Sequence, residues 1–322
     1  LLHLLDHPSI VGNLKLDAMF ESAPYITIDN PVYLEREYAL DEKIMDEVRT
    51  VFFNRGEASV AVSGPEFAEG ALHLGNRNKS VGGQLAIDLE RELNYGAPGL
   101  LAPGVLTDER GRRYLAPGSV LVLTTGSAGL SFGAFCNDGM HLEHTGTCND
   151  GVGKSMSGGV IAVRSPGGGS SDAGGNVLIG NFALFGATGG RVFVEGEAGD
   201  RFAVRNSGAS AVVEGVGDFA GEYMTNGAVV NLGEFGKGVG NGMSGGFFYQ
   251  YDPRGELALR ASTDSVLLGS ITAATDPLAA VHNHAVQLLL ELHVEATGSA
   301  LGTRLLENWE VEQHSFVYAM PK

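Results

Sequence analysis

Hydrophobic positions change their period twice along this chain. From Asp41 onward Ile44, Met45, Val48, Val51 and Phe52 fall at helical spacing, with Asp41 as cap and Gly56 in the stop position. Ala58 to Ser63 alternates as a strand, and Ala71 to Leu74 is a second short one. Gln84 to Leu93 returns to helix, with Leu85, Leu89 and Leu93 at four-residue steps. Residues 96–118, with three prolines and the run Asp108-Glu109-Arg110, read as a surface insertion. Ser119 to Thr124 is a strand, and from there no helical period returns until Pro277.

Between those points one phrase recurs: a doublet of small residues, then three or four mostly β-branched or aromatic ones. Gly158-Gly159, Gly189-Gly190, Ala209-Ser210, Asn226-Gly227 and Gly245-Gly246 each introduce such a run, and Gly208 precedes the third. Apart from one step of 31 residues, the spacing is 17 to 20. Residues 126–246 hold 32 of the chain's 48 glycines. Gly151 to Gly159 is echoed by Gly238 to Gly246, 87 residues on, each ending in Met-Ser-Gly-Gly. A sandwich needs longer strands with tight hairpins, and a propeller blade takes roughly 40–45 residues. The period therefore predicts an all-β, single-stranded right-handed β-helix, a solenoid whose corners are made by glycine. Its limits are 57–271, after a connecting segment and helix over 1–56. The 31-residue step carries Pro166 to Gly175 as a bulge between rungs. Leu257 to Leu259 and Ser265 to Ile271 read as closing strands. Residues 272–322 read as a helical cap over one end: Leu278, Val281, Ala285, Leu288, Leu289 and Leu292 form the expected buried stripe, and Gly298 with Ser299 starts a second helix.

Composition removes several function classes. A formal net charge of −17 argues against a nucleic-acid partner and against an anionic membrane surface. No apolar run reaches the ~20 residues of a spanning helix. Cys136 and Cys148 are the only cysteines, so no disulfide framework is expected and the cytoplasm is the default compartment. The start without Met reads as a piece of something longer.

Candidate chemistry is sparse. Cys136, His141, His144 and Cys148 offer thiolate and imidazole ligands for zinc, but at a spacing of no standard finger, and on a strand the two histidines face opposite ways. Incidental core and surface residues are the alternative. Glu195, Glu197, Glu214, Asp218 and Glu222 could line a groove as the carboxylate pair of a glycan hydrolase or lyase, or could solvate corners. Gly186 to Gly190 could cradle a phosphate, but no helix start with a lysine follows, so the run also reads as a turn. Arg201 and Arg205 are candidate domain contacts, or partners of Glu214 or Asp218 in the next rung. His282 and His284 cannot share a helix face, and His293 flanks the stripe.

Several phrases carry a family resemblance. They include Ser131-Phe132-Gly133-Ala134-Phe135, Asn149 to Lys154, Leu184 to Gly190, Gly199 to Ala209, Val212 to Asp218, Glu222 to Thr225 and Gly242 to Gly246. Together they resemble the C-terminal Gly-x-Gly-x-Gly domain of the glutamate synthase large subunit, from about Asp41 to the end. The tail around His293-Val294-Glu295 and Trp309 resembles it too. The resemblance implies a non-catalytic scaffold with no cofactor of its own. The catalysis, from glutamine and 2-oxoglutarate to glutamate, would lie in an amidotransferase domain and a synthase domain holding FMN and an iron–sulfur cluster, with a reductase subunit as a further partner. The same module also resembles a formylmethanofuran dehydrogenase subunit, which leaves a free-standing scaffold subunit as an alternative.

Overall fold

The structure is a computed structural model that describes residues 39–62, 71–96, 103–167 and 175–322. The expected connecting segment before Ala39, and most of the bulge between Pro166 and Gly175, lie outside the described residues. Helix α1 (Ala39–Val48) runs on as a π-helical turn over Arg49–Asn54, and short strands β1 (Val60–Val62) and β2 (Leu72–Leu74) follow. Helix α2 is Gly83–Tyr95, and β3 (Val105–Thr107) with β4 (Arg113–Leu115) makes the insertion an antiparallel hairpin.

Rungs begin at β5 (Val120–Ala128). β6 (Met140–Cys148), β7 (Ser157–Arg164), β9 (Gly189–Val194), β11 (Ser207–Val213), β12 (Thr225–Asn231) and β13 (Gly245–Tyr251) stack on it in parallel. β1 and β2 both pair with β5 at the first end. The register runs Leu142, Ile161, Val192, Ala211, Val229, Phe248, one residue per rung. The result is a parallel β-solenoid of about six turns. The 31-residue step is a rung with a second short strand, β8 (Val177–Ile179), which pairs β10 (Glu197–Ala198).

Burial alternates along β5 and β6, but β7, β9, β11, β12 and β13 each carry a continuous buried run because both of their faces are covered. Ile161, Val192, Ala211, Val229 and Phe248 point into the solenoid core. Phe193, Val212, Val230 and Tyr249 point out into a second core. That second core is covered by α4 (Ala279–Thr297), α5 (Ala300–Glu307) and α6 (Trp309–Glu312), which supply Val286, Leu289, Leu290, Leu305 and Trp309.

Three expectations are corrected. The helices cover the outer strand face as well as adjoining one end, and the end itself is closed differently. There β15 (Phe316–Pro321) pairs antiparallel with β13, and β14 (Val266–Ser270) pairs with β15. Residues Leu257–Arg260 form a short helix, α3, and not a strand. Asp252 accepts N–H bonds from Glu256 and Leu257 at 2.9 and 2.8 Å, which nucleates that turn, and Leu259 is left exposed. The buried row of α4 is His282, Val286, Leu289, Leu290, His293 and Thr297, while Leu278, Val281 and Leu288 face solvent. The histidines are drawn inward by specific partners on the strand face, described below.

At the first end, the carboxylate of Asp41 in α1 accepts N–H bonds from Gly82, Gln84 and Leu85 at 2.9, 2.9 and 3.1 Å. It thus caps the start of α2, whose own preceding residue, Gly82, offers no side chain. Burial pushes the Asp41 carboxyl up to about 6, against the lowering effect of those bonds.

Candidate functional site

The side of the solenoid opposite the strands is built from arcs in which every second residue is left-handed. The triples are Ser131/Gly133/Phe135, Gly151/Gly153/Ser155, Phe182/Leu184/Gly186, Arg201/Ala203/Arg205, Phe219/Gly221/Tyr223 and Gly238/Gly240/Gly242, all with φ between +45 and +78°. Two of these triples, Gly151-Val-Gly-Lys-Ser and Gly238-Val-Gly-Asn-Gly, are the echoed phrases of the sequence.

The alternation turns successive N–H groups to opposite sides of the arc, and each finds a neighbouring rung. First residues donate onward: Phe182 to the Asp200 carbonyl at 2.8 Å, Arg201 to the Asp218 carbonyl at 2.7 Å. Middle residues donate backward: Leu184 to Val152 at 2.8 Å, Ala203 to Ala183 at 2.9 Å. Third residues donate onward again: Arg205 to Glu222 at 2.9 Å, Tyr223 to Asn241 at 2.8 Å. The arcs are therefore hydrogen-bonded sheets of another kind, and their N–H groups are already used. This disposes of a phosphate cradle at Gly186 to Gly190, where Gly186 donates to Val204 and Thr188 to Met156.

Non-glycine left-handed residues cost roughly 1–2 kcal/mol each, so the aromatic ones need a return. Tyr223 lies over Gly242 and Phe219 over Gly238, where a Cβ would meet the ring at 2.5 Å. Phe182 covers Gly151 in the same way, at 2.8 Å. The glycine of one rung makes room for the ring of a neighbouring rung.

The doublets that introduce the strands divide into two kinds. Gly159, Gly190, Gly227 and Gly246 are left-handed, with φ between +72 and +95°. Gly158, Gly189, Gly208 and Gly245 lie against atoms of the rung beneath: a Cβ at Gly189 would stand 2.4 Å from the Ser157 carbonyl oxygen, and one at Gly208 2.3 Å from that of Thr188.

The predicted zinc ligands do not converge. His144 points into the core, its Nδ1 2.9 Å from the Thr124 hydroxyl and its Nε2 near the Gly126 and Thr147 carbonyls. His141 faces outward beside Glu143 at 3.4 Å. Burial depresses both imidazoles. Burial pushes the Cys136 thiol up to about 12, and the Cys148 thiol also up, which disfavours the thiolate a metal needs. Two such cysteines do not fit an iron–sulfur cluster. Among the described residues no group of three or more His, Cys, Asp or Glu is placed to hold a metal.

The five predicted carboxylates have different surroundings, with Glu197 of β10 lying against Gly215. Glu222 meets Arg201 at 3.7 Å and the Asn241 amide at 3.1 Å, and Asp218 meets Lys237 at 3.8 Å, both on the arc side. Arg201 therefore pairs with Glu222 and not with Glu214 or Asp218, and Arg205 lies over the Tyr223 ring at 5.1 Å. Glu195 accepts the Ser165 N–H at 3.0 Å. Glu214 is buried under α4, where His293 Nε2 stands 3.1 Å away and the Ser299 hydroxyl donates to the same oxygen. Ser299 also accepts the Gly302 N–H at 2.8 Å, capping α5. With its hydroxyl engaged at both ends, Ser299 is a clamp and not a nucleophile. His282 makes the second clamp: its Nδ1 is 2.9 Å from the Tyr249 hydroxyl and its ring stacks on Tyr318 at 4.4 Å. His284 is exposed and stands apart from both.

Sequence reasoning missed these clamps because their partners lie 33 to 85 residues apart. It also missed a cleft of about 580 Å³ between α2, the hairpin and the first arcs. Ile87 and Phe135 stand exposed at its walls, and Arg112 bridges Glu90 and Asp138 at 3.1 Å each across it.

Comparison with known proteins places this geometry. The profile of the GXGXG motif family matches residues 64–322. The ferredoxin-dependent glutamate synthase 2 of Synechocystis sp. is 43% identical over 204 residues, which is 63% of this chain and 13% of that protein. The NADH glutamate synthase of Schizosaccharomyces pombe is 38% identical over 283 residues, 88% of this chain and 12% of that protein. The chloroplastic ferredoxin-dependent enzyme of Spinacia oleracea is 34% identical over 301 residues, 92% and 17%. The chain spans less than a fifth of the length of these relatives. It belongs to the GXGXG motif family, in agreement with the resemblance drawn from the sequence phrases.

Proposed function

We propose that this chain is the non-catalytic structural domain of a glutamate synthase, and that its role is positional. An amidotransferase part would release ammonia from glutamine, and a synthase part carrying FMN and an iron–sulfur cluster would reduce its adduct with 2-oxoglutarate. The domain would hold the two in register, so that ammonia is not lost to solvent. The observation that carries this reading is the double lacing of the rungs. Parallel strands bind them on one side, arcs on the other, and the clamped α4 lies across the outer strand face. Such a rod resists bending because every rung is tied twice to the next. Glu195, Glu214, Asp218 and Glu222 each meet a structural partner, which favours this reading over that of a glycan hydrolase or lyase.

Purified alone, the chain is expected to show no flavin absorbance and no glutaminase activity. Flavin bound one-to-one would contradict the proposal. The mass of the native protein separates a domain from a free-standing scaffold subunit: a polypeptide far above 33.6 kDa is expected for the domain.

A further inference from the structure

Helix α4 has two apolar faces, and the described residues cover only one. His282, Val286, Leu289, Leu290 and His293 bury against the solenoid. Leu278 just before the helix, then Val281, Ala285 and Leu288, form a second row at steps of three, four and three residues, in which the three large side chains are 53%, 63% and 44% exposed. That alternation of steps is the seam by which one helix packs along another, and the ten steps from Leu278 to Leu288 span about 15 Å. Beyond Leu288 the row continues to Leu292, which is partly buried with Leu301 of α5 in the second core, so one end of the seam is already occupied in the manner expected of the rest.

Resting on the glutamate synthase reading, we infer that this outward face of α4 seats an amphipathic helix from the catalytic part of the same enzyme. A helix is indicated because a strand or loop does not follow three- and four-residue steps. The relatives supply its source, since more than four-fifths of each lies outside the region this chain matches. A second copy of this chain is disfavoured, because each would bring a formal charge of −17 to the contact. Exposed Glu291, one turn from Leu288, and Glu295 one turn further favour a helix with lysine or arginine at its edge.

The test uses the native protein that contains this chain, with cysteine placed singly by Val281→Cys and Leu288→Cys. Maleimide labelling of each is followed by peptide mass spectrometry and referred to the same protein unfolded in urea. The natural Cys136 and Cys148 are buried and give little background in this region. Labelling slowed about 100-fold or more is expected at both sites. Labelling within about 10-fold of the unfolded rate shows a free face and overturns the inference. A photo-crosslinker at position 281 identifies the occupant: crosslinks into a helix of the catalytic part support it, and crosslinks into a second copy of this chain overturn it. The glutamate synthase reading fails separately, if the native mass is 33.6 kDa with no companion polypeptide.

Discussion

The two long sides of each rung obey opposite rules. On the strand side the backbone is extended, the side chains are β-branched or aromatic, and stability comes from burial on both faces. On the arc side the backbone alternates between right- and left-handed turns, and glycine or a strained residue is required at every second position. A solenoid can thus bind its rungs with two different hydrogen-bonded lattices, and each lattice demands its own alphabet.

The largest effect is expected at the corner where the two lattices meet. At Gly227, φ is +95° and a Cβ would lie 2.3 Å from the Ala209 carbonyl oxygen. Gly227→Ala should cost about 3 kcal/mol or more in denaturant unfolding, because strain and a backbone clash add. A loss below about 1 kcal/mol would show that the corner relaxes easily.

Next comes the strand side's tie to its helical cover. Glu214→Ala removes the acceptor of both Ser299 and His293, which are buried. We expect a loss of about 2–3 kcal/mol, with Glu214→Gln recovering part of it by keeping an oxygen acceptor for Ser299. Equal losses for both variants would point to charge as the dominant factor.

A third effect is a matter of pH. Because burial raises the folded Asp41 carboxyl from 3.8 to about 6, the folded protein binds that proton more tightly than the unfolded chain. Its contribution to stability is therefore greatest below pH 4 and falls as the pH rises through about 6. Asp41→Asn should flatten this part of the stability–pH curve, read from urea midpoints at several pH values. An unchanged slope would assign it to other groups.

The smallest effects should carry opposite signs on the two sides. Ser155 is left-handed with φ +57°, at the position Gly242 occupies in the echoed arc. Ser155→Gly should raise the midpoint slightly, by about 0.5 kcal/mol, since relief of strain outweighs the entropy of glycine. Ser210→Gly, in extended β11, should lower it by about 0.5–1 kcal/mol. The same sign at both positions would erase the distinction between the lattices.

This division also explains what the sequence disclosed. Glycine spacing exposed the rungs because the arc side tolerates few substitutes, and both halves of the Met-Ser-Gly-Gly echo end in left-handed residues, Gly159 and Gly246. The face of α4 was not legible. Hydropathy favours the row of Leu278, Val281 and Leu288 over one containing His282 and His293. Only partners distant in sequence, Tyr249 and Glu214, turn the histidines inward. For the same reason Arg201 found Glu222, whose place on the arc depends on rung geometry and not on charge pattern. The cleft beside Phe135 left no periodic trace, because α2, the hairpin and the arcs that form it lie in separate stretches of the chain.

The proposed positional role is tested most directly by the yield of glutamate per glutamine in the native protein containing this chain, with and without Glu214→Ala. Glutamine hydrolysis gives one glutamate, and captured ammonia gives a second from 2-oxoglutarate. If the domain holds the two sites in register, the variant should hydrolyse glutamine at an undiminished rate while the yield drops from two toward one and free ammonia appears. A yield that stays at two, in a variant whose unfolding midpoint has fallen as predicted, would contradict the account.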